Sequence, residues 1–161
     1  MFKTFPDGAH PMALMVAGVS ILSTLYYEHL DAKTNKEYNE MAYRLLAKIP
    51  TIAAFAYREN LGIPVIHPNI NLSFTHNFLN TLRAYPYQNL ELKSIEITAL
   101  DSIFMLHIDH EQNASTTTVR TVASTGAHPY AAISAGISAL WGRAHGGANE
   151  SVVAQLSLIH I

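Results

Sequence analysis

The residues able to do chemistry gather at the two ends of one stretch. One end reads His-Ile-Asp-His-Glu-Gln-Asn-Ala-Ser (His107 to Ser115), and the other reads Trp-Gly-Arg-Ala-His-Gly-Gly-Ala-Asn-Glu (Trp141 to Glu150). Histidine is the side chain best suited to exchange a proton or donate a hydrogen bond near neutral pH. His107, His110 and His145 are therefore the first candidates. A metal does not fit them. His107 and His110 stand three residues apart, whereas a helical zinc site with an adjacent glutamate needs two histidines four apart and the glutamate directly after the first. The chain also has no cysteine to supply a thiolate. As an isolated pair, His107 and His110 read equally as polar residues capping a helix end. His145 precedes Gly146 and Gly147, which let backbone approach a ligand closely. At a helix start the dipole disfavours a cationic imidazole, so a neutral His145 can donate a hydrogen bond to a developing enolate. The plainer alternative is a turn histidine that packs. No Gly-x-Ser-x-Gly nucleophile turn and no phosphate-binding glycine loop occurs.

Those residues must be positioned by helices. His10-Pro11 opens a helix over Pro11–Tyr27, with Met15, Val19, Leu22 and Tyr26 at helical spacing. Asp31 to Lys36 is polar and reads as a turn. A second helix is expected from about Glu37 to Asn60, with Pro50 inside it, where an intrahelical bond is lost. Arg44 and Lys48 lie four apart on this helix as a basic patch, either solvated or partner-facing, or touching an anion. Leu61-Gly62-Ile63-Pro64 stops the helix. Asn71 or Ser73 caps a short helix carrying Phe74, Phe78 and Leu82. Leu90 to His107 is expected to be helical, placing His107 at a C-terminal end. A helix then starts near Ala114 or Ser115 and includes Val119. Gly126 to Pro129 interrupts it, and Tyr130 to Leu140 follows, with Ala131, Ala132, Ala135, Gly136 and Ala139 suited to close helix packing. A final helix begins near Ala148. No strand is expected, so the fold class is all-α.

Composition narrows the function classes. With 161 residues, 49% of them hydrophobic and only 14% charged, the chain is one ordinary domain's length, and its surface is poor in charge. The formal charge of -2 provides no electrostatic footprint for nucleic acid. The apolar run from Pro11 to Tyr27 is interrupted by Gly18, Ser20, Ser23 and Thr24, and a bilayer span needs about 20 predominantly apolar residues. No signal-peptide pattern opens the chain. A cytoplasmic protein without a membrane partner is the expectation.

The two histidine motifs, with 35 positions from His110 to His145, closely resemble those of citrate synthases, the bacterial form in particular. The likeness extends to Ala9-His10-Pro11-Met12, to Leu45 through Ala54 around Pro50, to Leu72-Ser73-Phe74 and to Asn77-Phe78-Leu79. The resemblance implies a multi-helical fold, incomplete here. Residues 1–144 would be part of a large helical domain and 145–156 the start of a small one. Residues 157–161 do not continue the family pattern. It further implies condensation of oxaloacetate with acetyl-CoA and hydrolysis of the citryl thioester to citrate and CoA, in a homodimer or hexamer, without a metal or other cofactor. The long helices over Pro11–Tyr27 and Glu37–Asn60 would contribute to the dimer interface.

By the same resemblance His145 stabilises the enol of acetyl-CoA and His110 helps to hold oxaloacetate. Backbone around Ala144 and Gly146 lies against acetyl-CoA, and His107 and Asn113 support His110. Some bacterial members are inhibited by NADH through residues resembling Tyr26, Arg44 and Lys48, although the rest of that site is absent or altered here. Arg143 stands where relatives commonly carry Pro. The family's aspartate base, a second catalytic histidine and the arginines that clamp oxaloacetate lie downstream of the His145 motif, beyond Ile161. Alternatively, the chain is a truncated, non-catalytic helical dimerisation module.

Overall fold

The computed structural model describes residues 4–6, 8–29, 31–109 and 111–159. Among these the chain is all-α, with no strand: α1 (Pro11–Leu25), α2 (Asn35–Asn60), α3 (Phe74–Arg83), α4 (Ser94–Leu106), α5 (Ala114–Ala123), α6 (Pro129–Leu140) and α7 (Gly146–Ile159), plus a 3-10 turn over Tyr27–His29. Two compact units divide it, one comprising Met1–Met15 and Ala42–His110, the other Val16–Met41 and Glu111–Ile161. Helices α1 and α2 each contribute residues to both. No helix among the described residues is long and apolar enough to cross a membrane.

Two helices open with the same device. His10 precedes Pro11, and its Nδ1 accepts the backbone N–H of Met12 at 3.1 Å. His128 precedes Pro129, and its Nδ1 accepts that of Ala131 at 3.2 Å. Proline fixes the first helical φ and lacks the N–H that would go unpaired there. The histidine ring satisfies a remaining donor, as an Asn or Ser cap does elsewhere. An accepting Nδ1 places the ring proton of a neutral imidazole on Nε2.

Helix α2 begins two residues before the expected Glu37. The reason is a reciprocal box. Glu37 Oε2 accepts from the backbone N–H groups of Lys33 at 2.8 Å and Thr34 at 2.9 Å, while Thr34 Oγ1 accepts from Glu37 N at 3.3 Å. Helix α4 begins later than the expected Leu90, because Glu96 Oε2 accepts the Lys93 N–H at 2.9 Å and fixes the start there. Helix α1 ends at Leu25, short of Tyr27, where the chain tightens into the 3-10 turn. Gly62, at φ 64°, closes α2 with an Ile63 N–H to Arg58 carbonyl bond of 3.0 Å.

In the first unit α3 and α4 pack through aromatic edges. Phe74 and Phe78 meet the Phe104 ring at centroid distances of 5.9 and 6.1 Å. The buried Thr75 hydroxyl donates to the Asp101 carboxylate. At one end Arg83 Nη1 donates to Glu96 at 2.7 Å. Arg58 is fully buried, yet no carboxylate pairs with it among the described residues. Its Nε donates to the Pro64 carbonyl at 2.6 Å, and its Nη1 donates to those of Leu82 at 2.8 Å and Thr81 at 3.3 Å. A cation placed on the last carbonyls of α3 complements the negative end of that helix. The guanidinium also lies over the Tyr85 ring at 5.7 Å.

In the second unit α5 and α6 pack against each other. A Cβ at Gly136 would meet Val119 Cγ2 at 2.5 Å, so a larger residue there requires the valine side chain to shift. Ser134, buried on α6, shares a 2.7 Å hydroxyl contact with Ser20 on α1 and donates to the Val16 carbonyl at 3.2 Å. Tyr130 is fully buried and stacks on Tyr26 at 5.9 Å.

Replacing His128 by Ala is expected to cost about 0.5–2 kcal/mol of stability, and His128→Asn to restore most of it, as a capping role requires; urea unfolding checks both. Hydrogen bonds from the Lys33 backbone, followed by those from Thr34, hold the Glu37 carboxyl below its usual 4.5. Its cap is therefore complete above that value and is lost as pH falls through the lowered one. An NMR titration of Glu37 should place its midpoint below those of exposed glutamates.

Candidate functional site

His145 directly precedes α7, and the link from α6 fixes it there. The Trp141 N–H continues α6 by bonding to the Ile137 carbonyl at 3.0 Å. The Gly142 carbonyl then accepts twice, from the His145 N–H at 2.9 Å and the Gly147 N–H at 3.4 Å. The Ala148 N–H bonds back to the His145 carbonyl at 3.2 Å. The link thus folds into a compact turn, with Arg143 inside it. Gly146 closes against α6: a Cβ there would fall on the Leu140 carbonyl oxygen.

The ring of His145 is half-buried, and its Nε2 lies 2.8 Å from the hydroxyl of Ser115. Ser115 is the second residue of α5. The start of that helix is fixed by Asn113, whose Oδ1 accepts the Thr116 N–H at 2.8 Å. When the Ser115 hydroxyl donates, Nε2 is the acceptor and a neutral ring carries its proton on Nδ1. Nδ1 has no partner among the described residues, so this geometry leaves one N–H available for a ligand oxygen. Beside Ser115 runs an open cleft of about 340 Å³ between α5 and α6, walled by Val119, Ile133, Ile137 and Leu140, with Thr116 and Arg120 at its polar side.

Sequence reasoning did not single out Ser115. Its signal was its place in the first turn after a capping Asn, but nothing in the spacing tied it to a histidine 30 residues on. Of the other expected site residues, Asn113 serves as the α5 cap, Ala144 is exposed in the turn, and Gly146 is the first residue of α7. His107 ends α4 as expected, with its Nδ1 2.7 Å from the Ile103 carbonyl. It belongs to the first unit. His110 lies outside the described residues. Tyr26 belongs to the second unit and Arg44 and Lys48 to the first. Lys48 lines a cavity of about 470 Å³ with Phe55, Phe74, Phe78, His67 and Asn77. Among the described residues no three His, Asp or Glu side chains gather as a metal site would need.

The chain is thus all-α among its described residues, with an imidazole at a helix head held by a serine from a neighbouring helix. Similarity to known proteins makes this specific. Residues 1–160 match the profile of the citrate synthase C-terminal domain, and the chain belongs to the citrate synthase family. It is 56% identical over 167 aligned positions to the citrate synthase of Helicobacter pylori strain J99, covering 99% of this chain and 39% of that protein. The crystal structure of citrate synthase from Thermotoga maritima superposes with a TM-score of 0.76 at 29% identity, over 98% of this chain and 38% of that one. That of citrate synthase from Pyrobaculum aerophilum superposes with a TM-score of 0.73 at 34% identity, over 91% and 38%. The chain thus spans about two fifths of the length of these relatives.

Removing the hydroxyl in Ser115→Ala should release the His145 ring into a mixture of tautomers, at a stability cost of about 1 kcal/mol. Nitrogen-15 spectra of the ring, compared with the parent, check the first effect, and urea unfolding checks the second.

Proposed function

We propose that this chain supplies the acetyl-CoA-activating part of a citrate synthase. That enzyme condenses acetyl-CoA with oxaloacetate and hydrolyses the citryl thioester to citrate and CoA, a step of the tricarboxylic acid cycle. The observation that carries the reading is the Ser115–His145 bond at the head of α7, in a chain of which residues 1–160 match the family.

The chemistry follows from that geometry. A methyl proton next to a thioester is weakly acidic, and as it leaves, negative charge gathers on the thioester oxygen. A donor already aimed at that oxygen lowers the barrier, because it need not reorganise during the reaction. With Ser115 donating to Nε2, His145 presents Nδ1–H to the oxygen. The methyl proton itself goes to a carboxylate, and by resemblance that base and the arginines clamping oxaloacetate are not among these 161 residues. The enol carbon then forms the new bond to the ketone carbon of oxaloacetate, whose oxygen takes the electron pair of the broken π bond and, by resemblance, a proton from an acid that is not among these 161 residues, becoming the citrate hydroxyl. Water finally cleaves the thioester and releases CoA. His110 would contact oxaloacetate, with His107 and Asn113 in support, and 145–156 would open the smaller domain.

Two finer readings accompany this one. Homo-oligomer formation is supported by apolar residues left exposed on α1 and α2, among them Leu25, Tyr43 and Leu46. NADH as an effector through Tyr26, Arg44 and Lys48 rests on the resemblance, with Lys48 at the wall of an aromatic-lined cavity as its physical support.

The 161-residue chain alone is expected to release no CoA from acetyl-CoA and oxaloacetate above a no-protein control, for want of a base. Substituted for the matching segment of the Helicobacter pylori enzyme, it should restore turnover. In that chimera His145→Ala should lower turnover about 10²–10³-fold and leave oxaloacetate affinity nearly unchanged. An inactive chimera of normal fold would refute the proposed function.

A further inference from the structure

We infer that Gly146 is a positioning residue for His145, its missing side chain being required by the protein's own backbone rather than by a ligand. The inference rests on the proposed role of His145 and deepens it. Helix α7 begins directly after His145, so whatever seats the first turn of α7 also places the imidazole. At Gly146 a Cβ would fall on the carbonyl oxygen of Leu140, with the Leu140 carbonyl carbon 3.3 Å and its Cδ1 3.5 Å away. The obstacle is mainly backbone, which cannot rotate aside as a flexible side chain can. Any residue larger than glycine would lift this turn off the end of α6, carrying His145 with it. The Ser115–His145 bond is 2.8 Å long, and hydrogen bonds weaken steeply with distance and misalignment, so a small lift separates the ring from its serine.

Gly147, the next residue, supplies the internal comparison. A Cβ there would meet only the stem of Arg143, at 3.6 and 3.8 Å, and the Gly142 carbonyl oxygen at 3.9 Å. These are ordinary van der Waals contacts. Two adjacent glycines in one helical turn therefore differ in what the fold asks of them. Alanine at 147 also gains helix propensity over glycine, so Gly147→Ala should not unfold the turn.

The test compares Gly146→Ala, Gly147→Ala and Ser115→Ala with the parent chain, using nitrogen-15 spectra of the His145 ring and thermal unfolding. In Gly146→Ala the ring should lose its single-tautomer pattern and match Ser115→Ala, while the unfolding transition remains cooperative. In Gly147→Ala the ring pattern should be that of the parent, with an unchanged or higher midpoint. A Gly146→Ala chain that keeps the parent's ring pattern overturns the inference. So does one that fails to fold, since the glycine would then hold the fold rather than the ring, and so does a Gly147→Ala chain as disturbed as Gly146→Ala. The readout is spectroscopic and needs no turnover, so its failure is distinguishable from an inactive chimera, which would refute the proposed function instead.

Discussion

The close approach of α5 to α6 is the constraint on which the second unit depends. At Gly136 the two helices are near enough that a single methyl group would strike Val119. From this contact the remainder follows in order. Helix α5 presents Ser115 from its first turn, α6 ends where the Gly142 turn can begin, and that turn returns His145 to the serine. Serine and histidine are far apart in sequence, and the α5–α6 contact and the Gly142 turn bring them together.

Histidine takes several parts in this chain, and the ring nitrogen in use separates them. His10 and His128 accept backbone N–H groups through Nδ1 at helix starts. His107 turns Nδ1 to a carbonyl at a helix end, where it must donate. His145 is held through Nε2 by a hydroxyl. In the last arrangement a side chain fixes one nitrogen, and the other has no hydrogen-bond partner among the described residues. A histidine-rich sequence therefore does not imply a histidine-rich site, because helix ends occupy the rings of His10, His107 and His128.

Much of this was legible in the sequence, for physical reasons that vary by element. The α-helical class, the glycine that ends α2 and the proline that opens α6 follow from local backbone preferences. The start of α2 falls two residues before its expected place because the Thr34–Glu37 box is a reciprocal side-chain arrangement, and the polar run around it reads equally well as a turn. The start of α4 falls later than expected because Leu90 and Leu92 continue an apolar pattern that Glu96 cuts off at Lys93. His145 stands out through its glycines, whereas Ser115 does not. Its role depends on tertiary packing, and a serine among the threonines of α5 carries no periodic mark. Arg58 is hidden for a similar reason, since its partners are carbonyls, which every residue possesses.

That buried arginine has a bearing on how this sequence can vary. Its guanidinium ties the end of α2 to Pro64 and to the final carbonyls of α3. The chain from Val65 to Ser73 is a loop whose leading end is held at Pro64, while the helix that follows it is held at its far end, by Thr81 and Leu82. Lengthening such a loop is inexpensive, because each doubling adds only about 0.6 kcal/mol of closure entropy. Lineages descending from a common ancestor can therefore insert or delete residues in this segment while the helices on either side keep their register. A planar fork reaching three carbonyls is difficult to replace with lysine, which presents a compact point charge. Tolerance of loop length and intolerance of substitution at Arg58 are, on this view, two expected results of one set of hydrogen bonds.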